Sequence, residues 1–342
     1  MGEIIPPNWR NSGGDKLALP RGNSVALTGV SLFDGLSQGS SWEFSGSKTL
    51  TYSLWDSADG SWSPSTLGFF QEISSKFSNV ADINFEFYGH FDRPYGQIVD
   101  VRLFVNASDI SITFKTMSGQ AIAAAPDHRG VMDDVMASVW DIPSYLYPTA
   151  EGDIILNNDN GVFDLENFIP GTYGYSTFIH ELGHALGLKH PHDDGLNDRP
   201  TFIDLGINFF DSEKYTIMSY NGISTAKFGH AASLMPLDIG AMQIIYGANN
   251  SFNTGNNTYT LNINRWETIW DAGGNDTITA ENFSSSVTID LREIIYESTS
   301  VGGNGGYLIA GNANIENAKG GHGNDTLTGN SGANSLDGGS GN

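Results

Sequence analysis

Three histidines, one glutamate and one glycine fall at fixed offsets in His180-Glu181-Leu182-Gly183-His184-Ala185-Leu186-Gly187-Leu188-Lys189-His190. On a helix, His180 and His184 lie four residues apart and project from one face, one above the other. Two imidazoles presented in this way can share a metal ion, and their spacing suits zinc. Glu181 falls one residue round the helix, beside the metal instead of on it, where it can accept a proton from water that the metal polarises. Gly187 follows His184 by three residues and enters the left-handed conformation that ends a helix at little steric cost. The chain is therefore expected to turn there and bring His190 in as a third ligand. Three protein ligands leave the fourth position of a tetrahedral zinc open, the mark of a catalytic site. A chance match of all the fixed residues in a chain this long has a probability of roughly 10⁻⁵ from average composition. The competing reading is an amphipathic core helix with satisfied histidines.

Around this stretch, composition narrows the choices. The 342 residues carry 39 Asp and Glu against 16 Lys and Arg, a formal net charge of −23. Such a balance argues against nucleic acid or an anionic membrane surface as partner, since both call for basic patches. It suits a soluble protein whose carboxylates bind hard cations, although surface solubility accounts for much of the same charge. The chain has no cysteine, which excludes disulfides, thiolate zinc sites and cysteine nucleophiles. Its first residues show neither a basic segment nor an apolar one of the signal-peptide kind, and no apolar run approaches the ~20 residues of a membrane span.

The elements that must position the motif are read in order. Residues 1–45 are polar and glycine-rich, an N-terminal extension, an arm or part of a pro-segment. A catalytic domain is expected over 46–247. Strands are predicted at 48–56, where Leu50, Tyr52 and Leu54 alternate with polar residues, and at 83–87, 98–105, 110–114, 135–140 and 153–156. Ser63-Pro64 reads as an N-cap followed by proline at the first helical position, opening a helix to about Asn79 through Leu67, Phe70, Ile73 and Phe77. The metal helix is expected over 176–186, followed by a long polar loop to Asp211 and an apolar turn at 215–220. A closing helix over 236–246 is predicted to turn Leu237, Ala241, Ile244 and Ile245 inward, with Gly247 stopping it. Strands mixed with a few helices imply an α+β or α/β sheet.

From about Ala248 the composition shifts to Gly, Asn, Asp and Thr, and a separate domain is expected over 248–342. Gly320-Gly321-His322-Gly323-Asn324-Asp325-Thr326-Leu327-Thr328 fits the nonapeptide G-G-x-G-x-D-x-U-x, in which U is a large apolar residue. A degenerate copy follows with Asn334 in place of Asp, and a third begins at Gly338. Asp271-Ala272-Gly273-Gly274-Asn275-Asp276 is an earlier partial match. In such repeats a glycine-rich turn binds Ca²⁺ through carbonyls and the Asp, here Gly321, Gly323 and Asp325, while Leu327 and Leu336 face inward from short strands. A glycine-rich linker is the competing reading. Two clear repeats are fewer than a solenoid needs, so the chain end reads as shortened.

The extended zinc motif, the Ile217-Met218-Ser219-Tyr220 turn and the calcium-type repeats, in that order, resemble the serralysin family of secreted bacterial metalloproteases within the metzincins. The resemblance implies an α+β catalytic domain, a twisted and mostly parallel sheet with the zinc helix beneath it, followed by an all-β parallel β-roll. It implies one catalytic zinc on His180, His184 and His190, with Tyr220 as an additional, displaceable ligand that then holds the oxyanion. Met218 would form the floor under the metal, although on the residues alone it is equally an ordinary core methionine. Several calcium ions are implied, held by Asn253 and Gly255, by Asp271, Gly273 and Asp276, and by Glu316. Protein or peptide substrates are implied as well, along with a proteinaceous inhibitor as candidate partner, a monomeric state and a secreted, extracellular location. An extended substrate would add to a sheet edge, for which 136–140 is the candidate.

Departures from the family accompany the match. His192 stands where the family more often has Gly and reads as a solvated loop residue; residues 1–50 match poorly; and the family's C-terminal secretion signal is not found. His90, His128, His230 and His322 fit no ligand spacing and read as structural or surface residues. Two alternatives stay open: a calcium-binding surface or adhesion module whose zinc site is not catalytic, and another metzincin branch with an unrelated glycine-rich tail.

Overall fold

The structure, a computed structural model, describes residues 22–57, 59–64, 66–95, 108–116, 122–123, 152–159, 163, 168–194, 199–223, 229–293 and 306–341. The strands expected at 98–105 and 135–140, the candidate substrate edge at 136–140 and His128 lie outside them. So does the first part of the N-terminal stretch.

Alternating apolar residues build the central sheet. Its strands are β3 (Thr49–Ser57), β4 (Asn84–Tyr95), β5 (Ile110–Phe114), β6 (Ile122–Ala123) and β7 (Ile154–Leu156), in the order β4-β3-β5-β7-β6. Every pairing is parallel except β6 with β7. A parallel sheet needs cover on its faces, and the burial of Leu54, Ile112 and Ile154 on one face and of Ser53, Ser111, Thr113 and Ile155 on the other shows that it has it. Helix α2 (Gly68–Val80) supplies part of the cover with Phe70, Ile73 and Phe77, all fully buried. It starts later than Ser63-Pro64 suggests. Ser63 and Thr66 instead exchange hydrogen bonds in a tight turn ahead of the helix, Thr66 N–H donating to Ser63 Oγ at 3.3 Å. Strand β4 runs well past Phe87 and is the outermost described strand on its side of the sheet.

Helix α3 (Tyr173–Ala185) carries the metal motif and packs against α2 and β7. Phe178, Ile179 and Leu182 are fully buried, and Phe178 sits among Trp62, Phe70, Phe163 and Phe168. Burying an aromatic of this size contributes roughly 1.5–3 kcal/mol, enough to fix the rotation of the helix. Helix α4 (Pro236–Tyr246) has the expected bounds. Its inner face differs in part: Leu237, Ile239, Ala241, Met242 and Tyr246 are buried, whereas Ile244 is 41% exposed. Tyr246 takes the inward place because its hydroxyl bridges to Leu186 O at 2.8 Å.

The stretch read as an N-terminal arm, where described, is tied to the end of the metal helix. It contains β1 (Gly22–Ser24), α1 (Ser31–Asp34) and β2 (Ser40–Trp42). Trp42 Nε1–H donates to Ala185 O at 2.8 Å, and α1 packs on α4.

Beyond α4 the chain becomes short parallel strands. β8 (Thr258–Thr260), β10 (Thr277–Thr279), β13 (Asn317–Lys319) and β15 (Ser335–Asp337) form one sheet, in the order β15-β13-β10-β8. β11 (Thr288–Asp290) pairs with β14 (Thr326–Thr328), and β9 (Trp266–Ile269) with β12 (Gly306–Ile309), all parallel. Tyr259, Ile278, Ala318 and Leu336 stand in register. Strands β13, β14 and β15 thus fall alternately on two sheets, as a roll requires. Leu336, expected to face inward, is 45% exposed, and β15 is the outermost described strand of its sheet.

Candidate metal centre and its cleft

The end of α3 places the three histidines. Gly187 N–H donates to His184 O at 2.9 Å and Leu188 N–H to Gly183 O at 2.9 Å, the paired bonds of a Schellman stop. Gly187 has φ 98°, a conformation that favours glycine. The chain then runs beside the N-terminal segment: Gln38 N–H donates to Gly187 O and Lys189 N–H to Leu36 O, at 2.8 and 2.9 Å. This clamp delivers His190 to the imidazoles of α3.

His190 Nε2 lies 3.0 Å from both His180 Nε2 and His184 Nε2. The other nitrogen of each ring is engaged elsewhere. His180 Nδ1–H donates to Ile217 O at 2.8 Å, His184 Nδ1–H to Leu188 O at 2.9 Å, and His190 Nδ1–H to Asp193 Oδ2. With the proton held at Nδ1, each Nε2 carries a lone pair aimed at the other two. Three converging lone pairs cannot satisfy one another, but they suit a cation. Tetrahedral zinc with Zn–N near 2.0–2.1 Å needs N···N separations of about 3.3 Å, close to those found. Burial lowers the pKa of all three rings, His190 to about 3, which keeps them neutral as ligands must be. The residues present therefore fit zinc.

Glu181 is buried beside this cluster, and burial pushes its carboxyl up to about 8. A cation among the imidazoles acts in the opposite sense and favours the carboxylate. Met218 is fully buried beneath α3, its sulfur so near Gly183 that a Cβ there would meet it at 2.8 Å. The turn bearing it is fixed by buried Asp238, which accepts Ile217 N–H at 2.7 Å, Met235 N–H at 2.8 Å and the Thr216 hydroxyl at 2.6 Å. Tyr220 is 54% exposed, its ring 5.8 Å from that of His180 and 4.5 Å from that of His190. Burial, with Glu181 and Asp193 nearby, raises its hydroxyl to about 12.

Two histidines, exposed His192 and Glu213-bound His230, also lie near the cluster. His192, read as solvated, stacks parallel to His190 at 5.1 Å and faces Tyr220 at 5.0 Å. His230, read as structural or surface, lines the same cleft as His180, Glu181 and Tyr220, together with Glu213. No motif spacing marks either residue, so the sequence offered no signal for them. His90 pairs with Asp56 at 2.9 Å, a structural contact.

A second cluster lies in the roll. Asp271 and Asp276 are buried, and Asp276 N–H donates to Glu316 Oε2 at 2.7 Å. Asn253 donates to the Tyr259 hydroxyl at 2.9 Å, which donates to Asp271 Oδ2 at 2.5 Å. Asp276 Oδ2 has no hydrogen-bond partner among the described residues. Burial, with Asp271 and Glu316 alongside, pushes its carboxyl up to about 6. An orphaned oxygen amid three acids is the donor set of a hard cation. Gly274 passes so close to Gly255 that a Cβ would lie 2.2 Å from the Gly255 oxygen. Gly273 joins the set only by its backbone, donating to Asp271 Oδ1 at 2.9 Å. In the nonapeptide, Asp325 accepts Gly321 N–H at 2.7 Å and Val287 N–H at 2.9 Å. A Cβ on Gly321 or Gly323 would strike the neighbouring chain, 2.4 Å from Phe283 O and Ser286 N respectively.

Comparison with known proteins adds an independent finding. Residues 237–341 match the family model described as Peptidase M10 serralysin C terminal. A serralysin of Photorhabdus laumondii is 39% identical over 190 residues, 49% of this chain and 38% of that protein. A serralysin of Proteus mirabilis is 39% identical over 167 residues, 43% of this chain and 34% of that protein. Metalloprotease AprA of Pseudomonas entomophila is 35% identical over 178 residues, 44% and 36% of the two chains. The matched stretch is thus less than two fifths of each of these relatives.

Proposed function

We propose that the chain, which is similar to serralysins over the matched stretches, is a secreted zinc-dependent endopeptidase of that family, stabilised by calcium. One observation carries the reading: three Nε2 lone pairs converge, each ring held by a bond from its other nitrogen, next to a buried carboxylate. His180, His184 and His190 hold the ion. Zinc bound there supplies Lewis acidity, drawing the pKa of a water toward ~7 and polarising a carbonyl. Glu181 takes a proton from the attacking water and hands it to the leaving amine. Tyr220 follows the developing oxyanion with its hydroxyl, a stabilisation of ~3 kcal/mol in comparable sites. In the roll, Asn253, Gly255, Asp271, Gly273, Asp276, Glu316, Gly321, Gly323 and Asp325 are the candidate calcium residues, a structural role.

The test joins metal content to activity. Purified protein should contain one zinc per chain and digest casein. Glu181→Ala should keep the zinc and lose cleavage by about 10³-fold, within the range for a positioned proton-transfer group. A zinc-free protein, or near-normal cleavage by the variant, would sink the proposal.

A further inference from the structure

The cleft beside the imidazoles has a wall that the reaction leaves unused. Glu213 and His230 stand in it with Ser176, Thr177 and Ser219. The Glu213 side chain is only 6% exposed, while that of His230 remains 29% exposed. Glu213 accepts Ala231 N–H through Oε1 at 3.0 Å and His230 Nδ1–H through Oε2 at 3.1 Å. Beyond the bond it accepts, each Glu213 oxygen keeps a further lone pair. The described residues lining the cleft include two carboxylates, Glu181 and Glu213, and no lysine or arginine. Lys214, next in sequence, is directed at Trp266, its Nζ 4.9 Å from the ring centroid. The ring of Tyr173 lies 5.5 Å from that of His230 and gives the wall an aromatic flank.

We propose that this wall is a specificity pocket that selects a cationic, donor-rich side chain, Arg or Lys, beside the scissile bond and rejects an acidic one. The inference rests on the peptidase reading above. A buried site rich in acceptors discriminates strongly, because a substrate without donors leaves those acceptors unpaired. An acidic side chain meets like charge from Glu213. The N-terminal end of α3, which supplies Ser176, carries about half a positive charge and works the other way. The full charge of Glu213 outweighs it. A guanidinium can also lie against the Tyr173 ring.

The experiment uses the full zinc-loaded chain and fluorogenic peptides of one scaffold, varied among Arg, Lys, Leu and Glu on each side of the scissile bond. At one of the two positions, kcat/KM should favour Arg over Glu by about tenfold or more, with most of the difference in KM. Calorimetry with Glu181→Gln, which binds without turnover, should show the same order in Kd. Glu213→Gln should bring the ratio close to one, and His230→Gln should lower it; the wild-type ratio stands even if a variant fails to fold. Cleavage with an Arg-to-Glu ratio within twofold at both positions overturns the pocket and leaves the peptidase reading intact. A zinc-loaded chain that cuts none of the peptides overturns both.

Discussion

The two candidate ion sites are built on opposite principles. In the imidazole cluster every ring is pinned from behind, by Ile217 O, Leu188 O or Asp193, so ligand geometry is set by protein hydrogen bonds. In the roll, Asp276 keeps a buried oxygen without a hydrogen-bond partner among the described residues, and burial, with Asp271 and Glu316 alongside, pushes its carboxyl upward. The first site is organised before an ion arrives, and the second is under electrostatic strain until one does. Removing an ion should therefore stop chemistry at the first site and weaken the fold at the second.

The largest effect that would break this contrast is loss of a ligand. His184→Ala should abolish stoichiometric zinc and reduce casein cleavage to background, while the melting response to calcium persists. Metal analysis and calorimetry on one sample would check both halves. Next, Asp193→Ala removes the bond behind His190 and should weaken zinc affinity about 10–100-fold, measured by competition with a chelator. If affinity is unchanged, the pinning is ornamental and the comparison fails on its first side.

Calcium removal should be milder for chemistry and visible in stability. A ligand at about a hundredfold its Kd adds about 2.7 kcal/mol, so chelation should lower the melting temperature on the order of 5 °C. A curve that ignores calcium would remove the second side. The smallest effect is a pH dependence. Asp276 has its folded pKa raised to about 6 from 3.8, so the folded state binds its proton more tightly. In chelator, its contribution makes stability rise as pH falls through about 6, reaching its full value below about 3.8. Calcium should reverse the trend by holding the carboxylate, and Asp276→Asn should flatten the difference between pH 7 and pH 5 melts.

Local rules made much of this legible. His180, Glu181 and His184 follow from helix periodicity, and Gly187 announces the stop that delivers His190. Leu237 and Gly247 bound α4 for the same reason. The nonapeptide marks β14 and β15 because its glycines and apolar residue recur at fixed offsets. The pieces not legible depend on distant contacts. An exception is local: Ser63-Pro64 has the form of a helix start, yet the Ser63–Thr66 hydrogen bonds make a turn there and α2 begins at Gly68. Tyr246 displaces Ile244 from the inner face through a hydroxyl bond to Leu186. Glu213 and His230 meet in the cleft only after folding, without any spacing that could announce them. The strands β8, β9, β11 and β12, three or four residues each, are too short for periodicity to separate them from loops.

The clamp between the N-terminal segment and the stop of α3 has a kinetic corollary. Trp42 and Ala185 are 143 residues apart in sequence, and the same strip holds the backbone on either side of Leu188. Closing so long a loop is entropically slow compared with forming a helix. His180 and His184 can thus be aligned early, while His190 waits for docking of the chain's first described turns. Convergence of all three rings then reports that the two ends of this half have met.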